Sequence, residues 1–191
     1  MDIIEFIKQQ FEENGHVAYG ENISMGEHML QSAYYAEQKN SSDAIITAAL
    51  LHDFGHLILE LPEDIAEHGI DGYHEDVGAK FLAPYFPKQI IDGIALHVQA
   101  KRYLCAVKPK YHGQLSKASQ DSLAVQGGQM NAQEIAEFEQ RPFYKDALQV
   151  RLFDDLGKDL VLEHPGLAHY LRIAQQFVMN KPHVLSPTEA C

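Results

Sequence analysis

The sequence predicts an all-α protein, and three observations support that fold class. Apolar residues recur three and four positions apart, which is typical of helices that bury one face. Ser24 and Asn131 are each followed three residues later by a glutamate, a pattern that caps the start of a helix. Strict alternation of apolar and polar residues, which would indicate strands, nowhere persists for long.

Three helices are predicted before Pro62. An apolar stripe over residues 3–14 stops at an Asn-Gly pair, a natural C-terminal signal. The second helix runs from residue 24 to about 39 and carries His28 in its first turn. Residues 40–43 end that helix and cap the third, which contains a His-Asp pair.

Proline and glycine divide the rest of the chain into shorter segments. The predicted helices are residues 74–84, one that starts at Pro87 and surrounds His97 with apolar residues, 116–125, one capped by Asn131, one from Pro142 to about 158, and 165–180. Residues 105–115 contain Pro109 and Gly113 and are predicted to form a loop.

Length and composition restrict the class of protein. We expect residues 1–191 to form one domain with a loose tail from about residue 181. The net charge of −12 argues against nucleic acid or anionic membranes as general partners, and no apolar run approaches the ~20 residues that span a bilayer. The chain starts with acids in a helical pattern, which predicts no signal peptide, and its two cysteines form no CxxC pair. We therefore expect a cytoplasmic protein; the sequence does not indicate its oligomeric state.

The segment from Thr47 to His56 is the most informative part of the chain. His52, Asp53 and His56 directly follow an apolar run in this segment. In a helix the two histidines lie one turn apart on nearly the same face. Polar groups in such surroundings are costly unless they are paired or coordinated. A metal ion would satisfy them.

Six residues on five predicted helices are candidate metal ligands: His28, His52, Asp53, His74, His97 and Asp154. Four or five ligands serve one ion, whereas six, with an aspartate beside a histidine, suit two ions bridged by that aspartate, because a carboxylate can bind one ion with each oxygen. Imidazoles with few carboxylates and no thiolate favour iron, manganese or zinc over magnesium or calcium.

Three of these ligands have a partner one helical turn away: His56 follows His52, Lys101 follows His97, and Arg151 precedes Asp154. Each partner would project from the same helix face as its ligand, so the partners would together form an anion-binding wall. Arginine and lysine both suit phosphate or phosphonate oxygens. Alanine at Lys101 or Arg151 is therefore expected to weaken substrate binding and keep the metal, whereas alanine at Asp53 is expected to lose it.

Two further pairs of residues are weaker candidates. Ser119 and Gln126, near the Gly127-Gly128 turn, offer a hydroxyl and an amide to the same ligand. Tyr19 and Glu21 lie in a turn before the first ligand helix, which is well placed for a lid.

The pattern His28, His52-Asp53 and Asp154 resembles the HD-domain superfamily of metal-dependent phosphohydrolases. Further motifs resemble more closely the HD-domain mixed-valent diiron oxygenases that cleave the carbon–phosphorus bond of hydroxylated organophosphonates. These motifs are His74-Glu-x-Val-Gly, His97-Val-x-Ala-Lys101-Arg-Tyr-Leu and Gln126-Gly-Gly, and the resemblance covers most of the chain.

This resemblance implies an HD-domain helical bundle around two iron ions in the Fe(II)/Fe(III) state, with dioxygen as co-substrate. One iron would take His28, His52 and Asp154, the other His74 and His97, and Asp53 would bridge them. The phosphonate would be held by His56, Lys101, Arg151 and Ser119. In the family a tyrosine near the Gly-Glu turn can occupy an iron until substrate displaces it, and the glutamate contacts the amine end of the substrate. Here Tyr19 directly precedes Gly20, whereas the family has one residue between them.

Three functions follow as hypotheses. The leading one is oxidative cleavage of a 1-hydroxyalkylphosphonate, such as 2-amino-1-hydroxyethylphosphonate, to a carboxylic acid and phosphate. The second is hydrolysis of a phosphomonoester or nucleotide by metal-bound hydroxide, which the same ligands and cations would serve. The third is a metal-bearing binding module without turnover. A requirement for dioxygen separates the first from the others.

Overall fold

Helices provide the regular secondary structure of this protein. The computed structural model describes residues 2–18, 23–59 and 72–179, and within these ranges there is no strand, only an isolated backbone bridge between Ala18 and Ser24. The all-α prediction is therefore confirmed. Tyr19, Glu21 and the predicted tail lie outside the described residues.

The helices in chain order are α1 (Ile3–Asn14), α2 (Met25–Gln38), α3 (Asp43–Leu51), α4 (Phe54–Leu59), α5 (His74–Leu82), α6 (Lys88–Ala95), α7 (His97–Val107), α8 (Lys117–Val125), α9 (Ala132–Glu139), α10 (Tyr144–Leu156) and α11 (Leu167–Gln175). A short 3₁₀ helix, His112–Gln114, precedes α8. Among these described residues, no helix is both long enough and apolar enough to cross a membrane.

Several predicted helix starts are confirmed by capping hydrogen bonds. The side chains of Ser24 and Ser42 accept from backbone N–H groups in the first turns of α2 and α3. Asn131 and Glu134 complete a reciprocal capping box at α9. These side chains fix where the helices begin.

Two predicted boundaries are wrong. The region predicted as loop from residue 105 begins as helix, because α7 continues to Val107 and ends at Lys108, which is extended before Pro109. The last helix begins two residues after Pro165, because Gly166 at φ 85° cannot belong to an α-helix, and it ends at Gln175.

Helix α3 lies at the centre of the bundle. All of its residues from Ala44 to Leu51 are buried, and α2, α6, α10 and α11 pack around it. Its C-terminal end therefore delivers the following residues, His52 and Asp53, into the interior, where they are 0% and 2% exposed. A buried polar pair needs strong compensating contacts in such surroundings.

The helix predicted to run through the His-Asp pair is interrupted there. Helix α3 ends at Leu51 and α4 starts at Phe54. The Nδ1–H of His52 donates to the carbonyl of Ala49 (2.8 Å), three residues earlier. His97 repeats this arrangement at the α6–α7 junction, where its Nδ1–H donates to the carbonyl of Ile94 (2.7 Å). In both places the imidazole donates a hydrogen bond to a carbonyl near the end of the preceding helix, and this bond fixes the orientation of the ring.

A close approach between two glycines places α5 against α4. A Cβ at Gly55 would overlap the carbonyl oxygen of His74, and a Cβ at Gly78 would lie 2.8 Å from the backbone nitrogen of Gly55. Any larger residue would therefore push the two helices apart. This contact sets the position of His74.

Replacing Gly55 by alanine is expected to lower the free energy of unfolding by about 1–3 kcal/mol or more, because the clash is with backbone that cannot rotate away. Thermal unfolding measures the loss. Gly113→Ala is the matched control, since a Cβ at Gly113 meets nothing within 4 Å. Equal melting temperatures for the two variants would contradict this account of the α4–α5 contact.

Candidate dinuclear metal centre

The structure brings all six predicted metal ligands together in the interior. They form two groups whose nitrogen and oxygen atoms lie within 4.8 Å of one another, and each group could hold a metal ion. The first group is His28, His52 and Asp154, and the second is Asp53, His74 and His97. Helices α2, α5, α7 and α10 and the α3–α4 junction each contribute to this cluster.

Asp53 lies between the two groups. Its Oδ2 atom is 3.5 Å from His28 Nε2 and 3.4 Å from His52 Nε2. Its Oδ1 atom is 3.2 Å from His74 Nε2 and 3.4 Å from His97 Nε2. One carboxylate oxygen therefore faces each pair of histidines, which is the geometry that a bridging carboxylate needs.

The imidazole rings are oriented with Nε2 toward the centre. Nδ1 of His28 donates to the carbonyl of Gly157 (2.8 Å), and His52 and His97 donate to the main-chain carbonyls described above. Because a carbonyl only accepts, Nδ1 of each of these rings carries a proton, and Nε2 is the nitrogen that is left to bind a metal ion.

The Nε2 atoms come unusually close to one another. The Nε2–Nε2 distance is 3.1 Å between His28 and His52 and 3.2 Å between His74 and His97. Two lone pairs at that distance repel each other unless a proton or a metal ion lies between them. The donor set therefore fits the prediction of two cation positions, one in each group.

Electrostatics favour the ligand states that a metal requires. Burial raises the pKa of the Asp53 carboxyl, but His52 and the hydrogen bonds from His74 and His97 outweigh it, and the net pKa lies well below its usual range. Burial also raises the pKa of Asp154, and the adjacent Arg151 more than reverses this. Both carboxyl groups are thus ionised at neutral pH. Burial lowers the pKa of His28 to about 4, so this ring is neutral.

His52 binds a proton where a metal ion would bind. Burial lowers its pKa, but the Asp53 and Asp154 carboxylates have the larger, opposite effect, and the net pKa is about 9. A metal ion at Nε2 would release this proton, so its binding is expected to weaken as pH falls.

The predicted anion-binding residues lie around this cluster. His56 stacks on His74 with ring centroids 4.1 Å apart, and burial, followed by the neighbouring His74, lowers its pKa to about 3. His56 is therefore a neutral hydrogen-bonding group. Lys101 is 3% exposed and donates to Ser122 Oγ (2.8 Å). Burial and then the charge of Arg151 lower the pKa of Lys101 to about 7.

Arg151 joins the ligand cluster to the predicted anion site. Its Nη1 donates to Asp154 Oδ2 (2.5 Å), and its Nη2 donates to Asp155 and, at 3.5 Å, to Ser119 Oγ. Its Nε donates to the Tyr111 hydroxyl (3.1 Å). The guanidinium is therefore held by protein acceptors on three sides.

Lys158 is a cation that the sequence reasoning missed. Its Nζ donates to Ser116 Oγ (3.0 Å) and to Ser119 Oγ (3.3 Å), so two cationic side chains meet at the Ser119 hydroxyl. Its position four residues after Asp154 was the available signal. Gln126 caps the end of α8, and its Oε1 is buried without a hydrogen-bond partner in the described part of the chain.

The segment after α10 fastens onto α2 beside His28. The Gln31 side chain donates to the carbonyl of Asp159 (2.6 Å) and accepts from its N–H (2.9 Å). His164, in the same segment, donates through Nε2 to Glu27 (2.9 Å). A Cβ at Gly157 would lie 2.6 Å from Ser32 Oγ, so only glycine lets this segment reach His28.

The fold and this cluster define a class of protein. The family model described as the HD domain matches residues 25–159, which contain all six clustered ligands. The chain belongs to the HD domain family. Within the family it is similar to enzymes named as dioxygenases of hydroxylated phosphonates, as the sequence resemblance indicated.

Two of these relatives are 45% identical to the chain. One is the 1-hydroxy-2-(trimethylamino)ethylphosphonate dioxygenase (glycine-betaine-forming) of Leisingera caerulea, aligned over 93% of this chain and 91% of that protein. The other is the hydroxymethylphosphonate dioxygenase of Gimesia maris, aligned over 83% of this chain and 80% of that protein. A third relative, the uncharacterized protein L432 of Acanthamoeba polyphaga mimivirus, is 36% identical over 83% of this chain.

Proposed function

We propose that this protein is an iron- and dioxygen-dependent oxygenase that cleaves the carbon–phosphorus bond of a 1-hydroxyalkylphosphonate. The observation that carries the proposal is the position of Asp53, with one oxygen toward each pair of histidines, beside buried cationic side chains. The similarity to two named phosphonate dioxygenases supports it.

The six clustered side chains are proposed to hold two iron ions, with Asp53 as the bridge. The donor set of imidazoles and carboxylates suits iron, and a pair of iron ions supplies the one-electron chemistry by which dioxygen reacts with a C–H bond. The protein contributes position and charge: the Nδ1 hydrogen bonds fix the rings, and Arg151 keeps Asp154 ionised.

The phosphonate is proposed to bind between Lys101, Arg151 and Ser119. Arginine and lysine neutralise phosphonate oxygens, and burial makes each such contact stronger than in water. Neutral His56, stacked on His74, would donate or accept a hydrogen bond at the reacting end of the substrate. Tyr19 and Glu21 remain proposals for contacts to the rest of the substrate.

The proposed reaction balances without an external reductant. The C–H and C–P bonds of the hydroxylated carbon break, that carbon becomes a carboxylic acid, and the phosphorus leaves as phosphate. One oxygen atom of dioxygen enters each product, and the substrate supplies all four electrons.

The test is oxygen dependence of phosphate release. Iron-loaded protein is incubated with hydroxymethylphosphonate, 2-amino-1-hydroxyethylphosphonate or the trimethylamino analogue, with and without dioxygen, while oxygen uptake and phosphate are measured. We expect one phosphate per dioxygen consumed and none anaerobically. The unhydroxylated 2-aminoethylphosphonate is the control and should release none. Phosphate release without oxygen, or with magnesium or zinc alone, would favour hydrolysis and refute the proposal.

Replacing Lys101 by methionine is expected to separate substrate binding from stability. Loss of a charged hydrogen-bond donor costs about 1.5–3 kcal/mol, so KM for the phosphonate should rise roughly 10–100-fold while two metal ions remain bound. The melting temperature at pH 7 should rise, because an ammonium group no longer has to be buried. Lys108→Met, at an exposed site beyond α7, should change neither quantity.

The pH dependence of the Lys101 variant gives a second measurement. The pKa of Lys101 is about 7 in the folded chain and about 10.4 when unfolded, so between these values the unfolded chain binds more protons. Lys101 therefore destabilises the folded chain at pH 7, and this destabilisation becomes smaller as pH rises across that window. The difference in melting temperature between the methionine variant and the wild type should shrink from pH 7 to pH 10. A constant difference would contradict a buried, titrating Lys101.

A further inference from the structure

One of the four histidines in the metal centre is supported differently from the others. His28, His52 and His97 each donate from Nδ1 to a main-chain carbonyl at 2.7–2.8 Å. For His74, the group facing Nδ1 is the side chain of its neighbour Glu75, whose Oε2 lies 3.5 Å away. The second group of ligands therefore contains a histidine whose Nδ1 atom faces an anionic side chain, whereas Nδ1 of both histidines in the first group donates to a main-chain carbonyl.

Glu75 is an unusual residue to find in this position. It lies in the first turn of α5 and is 7% exposed, and its Oε2 atom has no hydrogen bond among the described residues. Burying a carboxylate oxygen without a hydrogen-bond donor is unfavourable, so the contact with His74 needs another explanation than hydrogen bonding in the described part of the chain. Its neighbour Asp76 is exposed and carries the same charge at the same helix end. The helix N-terminus alone thus does not account for burying Glu75.

The imidazole that faces Glu75 is held in place by its other neighbours. His56 stacks on the His74 ring at 4.1 Å, so the imidazole is confined by a second ring. Two carboxylates therefore face opposite nitrogens of the same imidazole: Asp53 Oδ1 lies 3.2 Å from Nε2 of His74, and Glu75 Oε2 lies 3.5 Å from its Nδ1.

We propose that Glu75 is a positioning residue for His74: with a metal ion at Nε2 the ring keeps its proton on Nδ1, and the Glu75 carboxylate, 3.5 Å away, would accept a hydrogen bond from it and make Nε2 a stronger donor to the ion held with Asp53 and His97. A carboxylate partner fixes the tautomer of a ligating imidazole and increases its basicity. The three histidines bonded to carbonyls have a weaker acceptor. Removal of Glu75 should therefore weaken one of the two metal positions selectively. This inference rests on the dinuclear centre of the proposed function.

The test measures metal binding rather than turnover. Full-length protein and its Glu75→Gln variant are dialysed against graded concentrations of free Mn(II), and bound manganese is counted by elemental analysis. Electron paramagnetic resonance then distinguishes isolated from spin-coupled ions. The wild type should bind two coupled ions. The variant should bind the first with unchanged affinity and the second roughly 10–100-fold more weakly, with a mononuclear signal between the two steps.

Two further variants control for structural effects. Asp76→Asn removes the same charge from the exposed side of the same turn and should bind manganese like the wild type. Glu75→Ala should show the same selective loss as Glu75→Gln, with a metal-free melting temperature at or above that of the wild type. Two ions bound at wild-type affinity in both Glu75 variants would overturn the inference. Equal weakening of both ions with a lower melting temperature would also overturn it.

The outcome is separable from the proposed activity. If the wild type binds two manganese ions with the predicted Glu75 dependence but consumes no oxygen with phosphonates, the positioning role stands and the oxygenase proposal fails. If the wild type releases phosphate with oxygen while Glu75 variants keep both ions at full affinity, the oxygenase proposal stands and the positioning role fails.

Discussion

Replacing Asp53 by alanine is expected to remove activity and metal together. This carboxylate has one oxygen within 3.5 Å of the first pair of histidines and the other within 3.4 Å of the second. Mutation of a residue that hydrogen-bonds to a metal ligand typically lowers metal affinity or activity about 10–100-fold. Loss of a ligand shared by two ions should lower turnover by at least about 1000-fold. Elemental analysis of the variant should find fewer than two ions per chain, and kcat/KM for the phosphonate should be near background.

Asp92→Asn is the matched control for this change. Asp92 is also a buried carboxylate, 3% exposed, but it pairs with Lys88 Nζ at 2.7 Å and is not among the clustered ligands. Its variant should lose some stability and keep both ions. Asp53→Asn, which retains one oxygen, should keep one position partly filled. A fully loaded, active Asp53→Ala variant would exclude the bridging role.

Replacing Arg151 by methionine is expected to destabilise the whole protein. The sequence alone predicts that loss of Arg151 weakens substrate binding and leaves the metal in place. The structure changes that expectation, because Arg151 pairs with Asp154 and Asp155 and is itself 3% exposed. Breaking a buried ion pair by removing one partner costs about 3–5 kcal/mol. In a protein of this size each kcal/mol of lost stability lowers the melting temperature by roughly 2–4 °C, so the melting temperature should fall by roughly 6–20 °C.

The Arg151 variant should also lose metal from the first group. Asp154 would lose both the cation that keeps it ionised and the hydrogen bond that holds Oδ2, so its other oxygen would be a poorer ligand beside His28. Arg151→Lys keeps the charge but lacks the fork that reaches several acceptors, and it should recover only part of the stability. Arg141→Met, at an exposed site, should have little effect. A stable, fully metallated Arg151→Met protein would instead support the sequence-based prediction, in which Arg151 contributes to substrate binding and not to the metal site.

The ligand cluster was predictable because its residues carry local signals. His52 and Asp53 leave an apolar run, which makes two adjacent polar side chains costly unless they are coordinated. The i+4 and i−3 positions of Lys101 and Arg151 follow directly from helix geometry. The helix starts at Ser24 and Asn131 were likewise readable, since capping depends on a few neighbouring residues.

What sequence reasoning missed depends on contacts between distant segments. The carbonyl of Gly157 orients His28 from 129 positions away, and no pattern near His28 announces it. The Gly55–Gly78 contact between α4 and α5 exists only once both helices are packed. The helix breaks at His52 and Leu96 coincide with hydrogen bonds from histidine Nδ1 atoms to main-chain carbonyls, and apolar spacing does not reveal such bonds. The resemblance to a known family supplied the roles that residue spacing left open.

The order in which the chain is synthesised restricts when the first metal position can form. Asp154, in the same group as His28, and Gly157, which orients the His28 ring from 129 positions away, are both made long after His28. A nascent chain on the ribosome lacks that third ligand until α10 has emerged. The complete first metal position can therefore form only after the segment from α2 to α10 has been synthesised and has packed together.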